Sequence, residues 1–162
     1  IVRGIDVSEE MLNIARNKCY ELNLQIELLR ANAESIPFAD NYFDSVVSVA
    51  TFEFIRNPTQ ALEEMFRVVK IGGKIVVGFI NRDSTWGELY LSYEFKTNTI
   101  FKYARLFSKF EIIKMHPEEL ITVKETLYTP PNVDVNKISL ENEFEFSKKY
   151  LPGFLVALWK KR

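Results

Sequence analysis

The sequence has one cysteine, Cys19, and one histidine, His116. A lone cysteine closes no internal disulfide, so a reducing compartment, the cytoplasm, is the expectation. Multi-histidine zinc sites are excluded as well, and no metal is expected. Glycine occurs only at 4, 72, 73, 78, 87 and 153, and none of these builds a glycine-rich phosphate loop. No apolar run reaches the roughly 20 residues of a membrane span. The opening IVRGIDVSEE also lacks the charged-then-apolar plan of a signal peptide. Neither sign of charge dominates: 21 Lys and Arg face 22 Asp and Glu, for a net charge of −1. Residues 1–80 carry 8 basic and 11 acidic groups, and the rest carry 13 and 11. Without a strong basic excess, neither nucleic acid nor an anionic membrane is an expected partner.

What is present fits one globular domain over residues 1–162, with 47% hydrophobic and 27% charged residues. Val2 to Ile5 reads as a short strand ending at Asp6. Ser8 caps a following helix, with Glu9 and Glu10 in its first turn, where the helix dipole favours negative charge. Leu12, Ala15, Cys19 and Leu22 recur at helical spacing, and Asn23 ends the pattern. Ile26 to Leu29 reads as a strand. Ser45 to Val49 is a β-branched run, hence a buried strand. Asn57-Pro58 starts a helix with an apolar face of Ala61, Leu62, Met65, Phe66 and Val69, closed by Gly72-Gly73 in a left-handed turn. Lys74 to Ile80 follows as a buried strand.

Strand–helix–strand alternation at this spacing gives βαβ units and an α/β fold, a Rossmann-like, doubly wound, mostly parallel sheet. The second half changes character. Trp86, Tyr90 and Tyr93 stand at i, i+4 and i+7, followed by Phe101, Tyr103, Phe107 and Phe110. One or two aromatic helices are expected there, facing either the core or a substrate. Leu120–Val123 with Thr126–Tyr128, and then Phe154–Trp159, read as closing strands, the last antiparallel.

In open α/β sheets, ligands lie beyond the carboxyl ends of the strands. Asp6 stands there after the first strand, where a carboxylate accepts both hydroxyls of a ribose. Asn32 follows the second strand, and its amide suits the edge of a purine. Ala50, Thr51, Phe52 and Glu53 follow the third; Asn81, Arg82 and Asp83 follow the fourth. Each has an ordinary reading too. Asp6 suits a helix cap, Asn32 a turn, and Glu53 a solvated surface.

Three stretches then resemble a known family: VRGIDVSEEMLNIAR, ANAESIPFADNYFDSVVSVATFEFI and NPTQALEEMFRVVKIGGKIVVGFINR. Together they are similar to the class I S-adenosylmethionine-dependent methyltransferases, within the small-molecule group of ubiquinone/menaquinone-type enzymes. The resemblance covers residues 1–82. It implies S-adenosyl-L-methionine as cofactor and a small-molecule acceptor. By the resemblance, Asp6 holds the ribose hydroxyls, Val7 and Met11 pack on the adenine, and Asn32 with Ala33 reads the adenine edge. Ala50 to Phe52 then border the methionine portion. Asn32 departs from the family's usual Asp, and Ile71 from a common proline. The family's glycine-rich turn precedes the stretch that matches Val2–Asp6 and has no counterpart here. Its strand lies between those matching the first and third strands of this chain. The resemblance therefore implies an N-terminally incomplete domain with a gap in mid-sheet, residues 84–118 forming substrate-cap helices, and weak cofactor binding by these residues alone.

Methyl transfer from a sulfonium needs positioning and dryness more than a catalytic triad. If the acceptor must lose a proton, Glu53 is the leading candidate, ahead of Asp83 and His116. Two other readings stay open: a methyltransferase-like binding or scaffold domain, and a nicotinamide-dependent oxidoreductase. The second lacks a Tyr with Lys four residues on.

Overall fold

The split of the sheet sets the architecture. A computed structural model describes residues 1–162. Strands β1 (Val2–Asp6) and β2 (Ile26–Arg30) form a two-stranded parallel sheet. Strands β3 (Phe43–Val49), β4 (Val69–Ile80), β5 (Leu120–Thr126) and β6 (Phe154–Lys160) form a second sheet in the order β3-β4-β6-β5. The pair β3–β4 is parallel. Strand β6 runs antiparallel to both its neighbours, as the sequence pattern led one to expect of the last strand. No hydrogen-bonded pairing joins β1 to β3. Val47 and Val49 of β3, β-branched residues suited to a buried strand, are 64% and 60% exposed.

Helix α1 (Glu9–Glu21) starts where Ser8 accepts the Met11 N–H, and its buried residue is Leu12. Helix α2 (Pro58–Val68) starts where the Asn57 side chain accepts the Gln60 N–H, with proline at the first turn. It buries Ala61, Leu62, Met65, Phe66 and Val68. The core gathers these with Ile75, Val77 and Phe79 of β4 and Leu155, Ala157 and Trp159 of β6.

One junction differs from the sequence reading. The glycines do not close α2, because Val69 is already extended and belongs to β4. Gly72, at φ +79, sits in an irregularity where the register jumps from Phe43↔Val69 to Ser45↔Lys74. A Cβ on Gly73 would lie 2.7 Å from the Asp44 carbonyl, so the sharp fold of β4 onto β3 excludes a larger residue there.

Between β4 and β5 run α3 (Thr85–Leu91), α4 (Tyr93–Asn98), a 3-10 turn at Ile100–Tyr103 and α5 (Lys109–Ile113). Helix α6 (Leu140–Ser147) precedes β6. No helix is long and apolar enough to cross a membrane.

Candidate functional site

At the carboxyl ends of β1 and β2 the structure brings Asp6 and Asn32 together. Asp6 stands in register with Arg30, and its carbonyl accepts the Ala31 N–H at 3.0 Å. Its Oδ1 accepts the Ser8 N–H at 2.8 Å, which fixes the rotamer, while Oδ2 makes no bond within the chain. Asp6 is thus both a turn-former and a carboxylate with a free oxygen. The Arg30 Nε donates to the Val7 carbonyl at 3.0 Å and pins the turn, leaving the Val7 side chain exposed beside the exposed Met11. Asn32 also does turn work. Its Oδ1 accepts the Glu34 N–H at 2.9 Å, and its Nδ2 stays free. Ala33 is half-buried against the core.

The end of β3 holds a left-handed corner. Ala50 is exposed at φ +49, and its N–H donates to the Gly78 carbonyl. The Thr51 hydroxyl donates back to the Val49 carbonyl. A 3-10 turn, Phe52–Phe54, follows. The Phe52 ring lies in the core, 5.4 Å from Phe79 in an edge-on contact, so only its backbone is left to face a ligand.

Glu53 is not the solvated side chain that the ordinary reading gave it. It is 1% exposed. Its Oε1 accepts the Ile80 N–H at 2.7 Å, and its Oε2 is enclosed without a partner. Burial pushes its pKa above the usual carboxylate value, opposed only by backbone hydrogen bonds. The carbonyl of Glu53 accepts the Arg105 N–H at 2.8 Å, which brings the segment after α4 onto this turn.

Asn81 does not line a crevice. It is buried, donates from Nδ2 to the Pro152 carbonyl, and accepts the Asp83 N–H. Arg82 pairs with Glu111 at 2.8 Å and with Asp83 at 3.3 Å, so Asp83 is already engaged. His116 stacks on Phe66 at 4.4 Å with φ +46, a turn residue after α5.

The aromatic helices divide their work. The Trp86 Nε1 donates to the Thr129 carbonyl, and a Cβ on Gly153 would come within 2.4 Å of its ring, so α3 is docked. Tyr90 stacks on Phe101 at 4.4 Å, and Phe101 meets Phe54 edge-on at 5.4 Å. Tyr93, by contrast, is 86% exposed. Helical spacing did not reveal that a break at Ser92 separates α3 from α4 and turns Tyr93 away. Glu143 of α6 was also missed. It accepts from the Tyr128 and Thr129 amides and the Thr129 hydroxyl, and so braces the loop that holds Trp86. A surface depression of ≈ 540 Å³ opens among Leu91, Tyr93, Lys96, Thr97 and Lys102, on the cap helices.

Comparison with known proteins bears on the family and the fold. Residues 1–77 match the family model described as a methyltransferase domain. A protein of Methanocaldococcus jannaschii is 32% identical over 158 residues, which span 96% of this chain and 70% of that one. The ubiquinone/menaquinone biosynthesis C-methyltransferase of Vibrio cholerae is 30% identical over 70% of this chain. A SAM-dependent methyltransferase from Thermotoga maritima superposes on 100% of this chain with a TM-score of 0.78 at 28% identity. The chain belongs to the class I SAM-dependent methyltransferases. Its match spans 48% of the length of the Vibrio enzyme and 73% of the Thermotoga chain.

The cofactor this family implies is S-adenosylmethionine. The methyltransferase chain fits its nucleoside end: a free carboxylate oxygen at Asp6 and the exposed apolar Val7 stand at the end of β1, and the polar edge of Asn32 follows the paired β2. At the methionine end the chain offers the Ala50 corner but no glycine turn.

Proposed function

We propose that this chain carries the nucleoside-binding and cap parts of an enzyme that methylates a small molecule. The observation behind it is the free Oδ2 of Asp6 beside Asn32 at the carboxyl end of a parallel strand pair. On this reading Asp6 accepts from the ribose hydroxyls, and Asn32 with the Ala33 N–H meets the adenine edge. Val7 and Met11 cover the adenine face, while Ala50 and the Phe52 backbone border the methionine portion. The bound cofactor supplies a methyl group on a sulfonium, already joined to its leaving group. The protein orients the acceptor and keeps water away, which supplies most of what such a displacement needs.

Residues 84–118 serve as the acceptor-side cap within a single domain. Support comes from the contact of Phe101 with Phe54, which lays the cap over the turn beyond β3. The small-molecule reading draws support from the near-neutral charge and from the quinone-pathway relatives. The reading also includes one further strand between β1 and β3, because both face a gap and β3 leaves Val47 and Val49 open. That strand would bring the missing support for the methionine end, so these 162 residues act as a fragment of the active enzyme.

Titration of ¹⁵N-labelled protein with S-adenosylhomocysteine tests the reading. Amide shifts are expected at Asp6–Ser8, Asn32–Glu34 and Ala50–Thr51, with adenosine reproducing the first two groups. Shifts confined to other surfaces would sink it.

A further inference from the structure

The cap carries apolar side chains on two faces, and only one of them is packed. On the inner face, Phe95 meets Tyr90 and Phe101 edge-on at 5.1 and 5.3 Å, Tyr90 stacks on Phe101, and Phe101 reaches Phe54. The outer face has no such partner. Tyr93, Lys96 and Thr97 stand at i, i+3 and i+4 of α4, hence on one side of the helix, and they line the surface depression with Leu91 and Lys102. Ile100 and Tyr103 stand at i and i+3 of the 3-10 turn that carries Lys102, so they share a face as well. Tyr93, Ile100 and Tyr103 are 86%, 65% and 75% exposed.

Positive charge gathers on the same segment. Residues 91–114 carry five basic and two acidic side chains, while the rest of the chain carries sixteen and twenty. The near-neutral total hides this imbalance. Arg105 is engaged by Glu111, and Lys109 by Glu125. Lys96 and Lys102 pair with no carboxylate, and the Lys102 Nζ lies 4.8 Å from the Tyr103 ring. Glu94 stands at i−2 from Lys96, a spacing that puts it on another side of α4.

Exposed apolar side chains rimmed by charge mark a docking surface, and the mixture selects the partner. A free anion would engage the lysines but has no use for Ile100 and Tyr103. A nucleic acid would meet an aliphatic side chain where stacking needs a ring, on a chain of net charge −1. Tyrosines at headgroup level with lysines reaching phosphates are the composition of a face that lies on a bilayer. We propose that the outer face of the cap docks on an anionic lipid surface, with Tyr93, Ile100 and Tyr103 among the headgroups and Lys96 and Lys102 on their phosphates. The proposal goes beyond the methyl-transfer reading and does not depend on it.

Cosedimentation of the full chain with vesicles tests it. One set is phosphatidylcholine alone, and the other an equimolar mixture with phosphatidylglycerol. The protein is expected to partition onto the mixed vesicles only, and less so in high salt. Replacing both lysines, Lys96→Glu with Lys102→Glu, should lower that partition at least about tenfold. Tyr103→Ser should lower it too. The control, Lys18→Glu with Lys74→Glu, makes the same change of charge at the last turn of α1 and early in β4, away from the cap, and should leave the partition unchanged. Circular dichroism confirms that each variant is folded. Absence of partition onto the mixed vesicles overturns the proposal, as does a loss that the control pair reproduces. Inorganic phosphate or a single-stranded RNA that shifts the amides of Tyr93–Thr97 and Lys102, without vesicle binding, also overturns it in favour of a soluble anion. Self-association abolished by the lysine pair, again without vesicle binding, overturns it in favour of a second copy of the chain.

Discussion

Arg3 and Tyr42 join the two halves of a divided sheet. The Arg3 Nη1 donates to the Tyr42 hydroxyl at 2.5 Å, and its guanidinium lies 5.0 Å from the Tyr42 ring and 5.2 Å from that of Phe38. Arg3 belongs to β1, while Phe38 and Tyr42 lie in the segment that leads into β3. No ladder of backbone bonds connects these strands, so side-chain contacts such as this carry the coupling.

Arg3→Ala should therefore cost more than a surface ion pair does. Loss of two cation–π contacts, a hydrogen bond and the 2.6 Å ion pair with Glu27 of β2 should lower stability by about 1–2 kcal/mol in urea unfolding. Amide exchange should accelerate in β1 and β2 more than in β4 and β6. Lysine should restore little, since a point charge does not stack between rings. Uniform acceleration across both sheets would contradict this.

Glu143 gives a pH prediction. Burial alone would raise its pKa, but the bonds from Thr129 and Tyr128 outweigh that and hold it below the ordinary value. Its stabilising contribution is thus present above the unfolded-state value of 4.5 and lost as pH falls through the folded-state value. Glu143→Ala should lower the melting temperature at pH 7 and converge on wild type in strong acid. A gap that stays constant down to pH 2 would count against the role.

Glu53 has the opposite sign. Its raised pKa means that the protonated form suits the folded state better. The stability it confers is complete below pH 4.5 and declines as pH rises through its folded-state value. Glu53→Gln should match wild type in acid and become progressively the more stable protein toward neutrality. Matched thermal melts between pH 4 and 8 read this directly. A parallel pair of curves would refute it.

Val47 offers a check on the open edge. Replacing an exposed Val of β3 by Lys should leave stability within about 0.5 kcal/mol. It should also reduce self-association, because charge on an open edge discourages pairing. Unchanged sedimentation at high concentration would argue that the edge is inert.

Much of the fold was legible because apolar period and cap residues act locally. Ser8 and Asn57 mark their helices, β-branched runs mark β3 and β4, and an apolar run marks β6. The chain's own residues also placed Asp6 and Asn32 at strand ends. Gly72-Gly73 misled because a positive φ serves a strand irregularity as well as a helix end, and the partner strand decides which. Glu53 misled because its burial depends on Ile80 and Arg105, which are distant in sequence. Tyr93 followed the helical period, but Ser92 caps a new helix there. The gap between β1 and β3 was expected from the family resemblance rather than from the residues themselves.

The most direct test is calorimetric titration of the protein with S-adenosylhomocysteine, beside the Asp6→Ala variant. The account predicts weak binding to the wild-type chain that Asp6→Ala abolishes, with both proteins folded by circular dichroism. Binding that survives Asp6→Ala unchanged would contradict the placement of the nucleoside at the ends of β1 and β2.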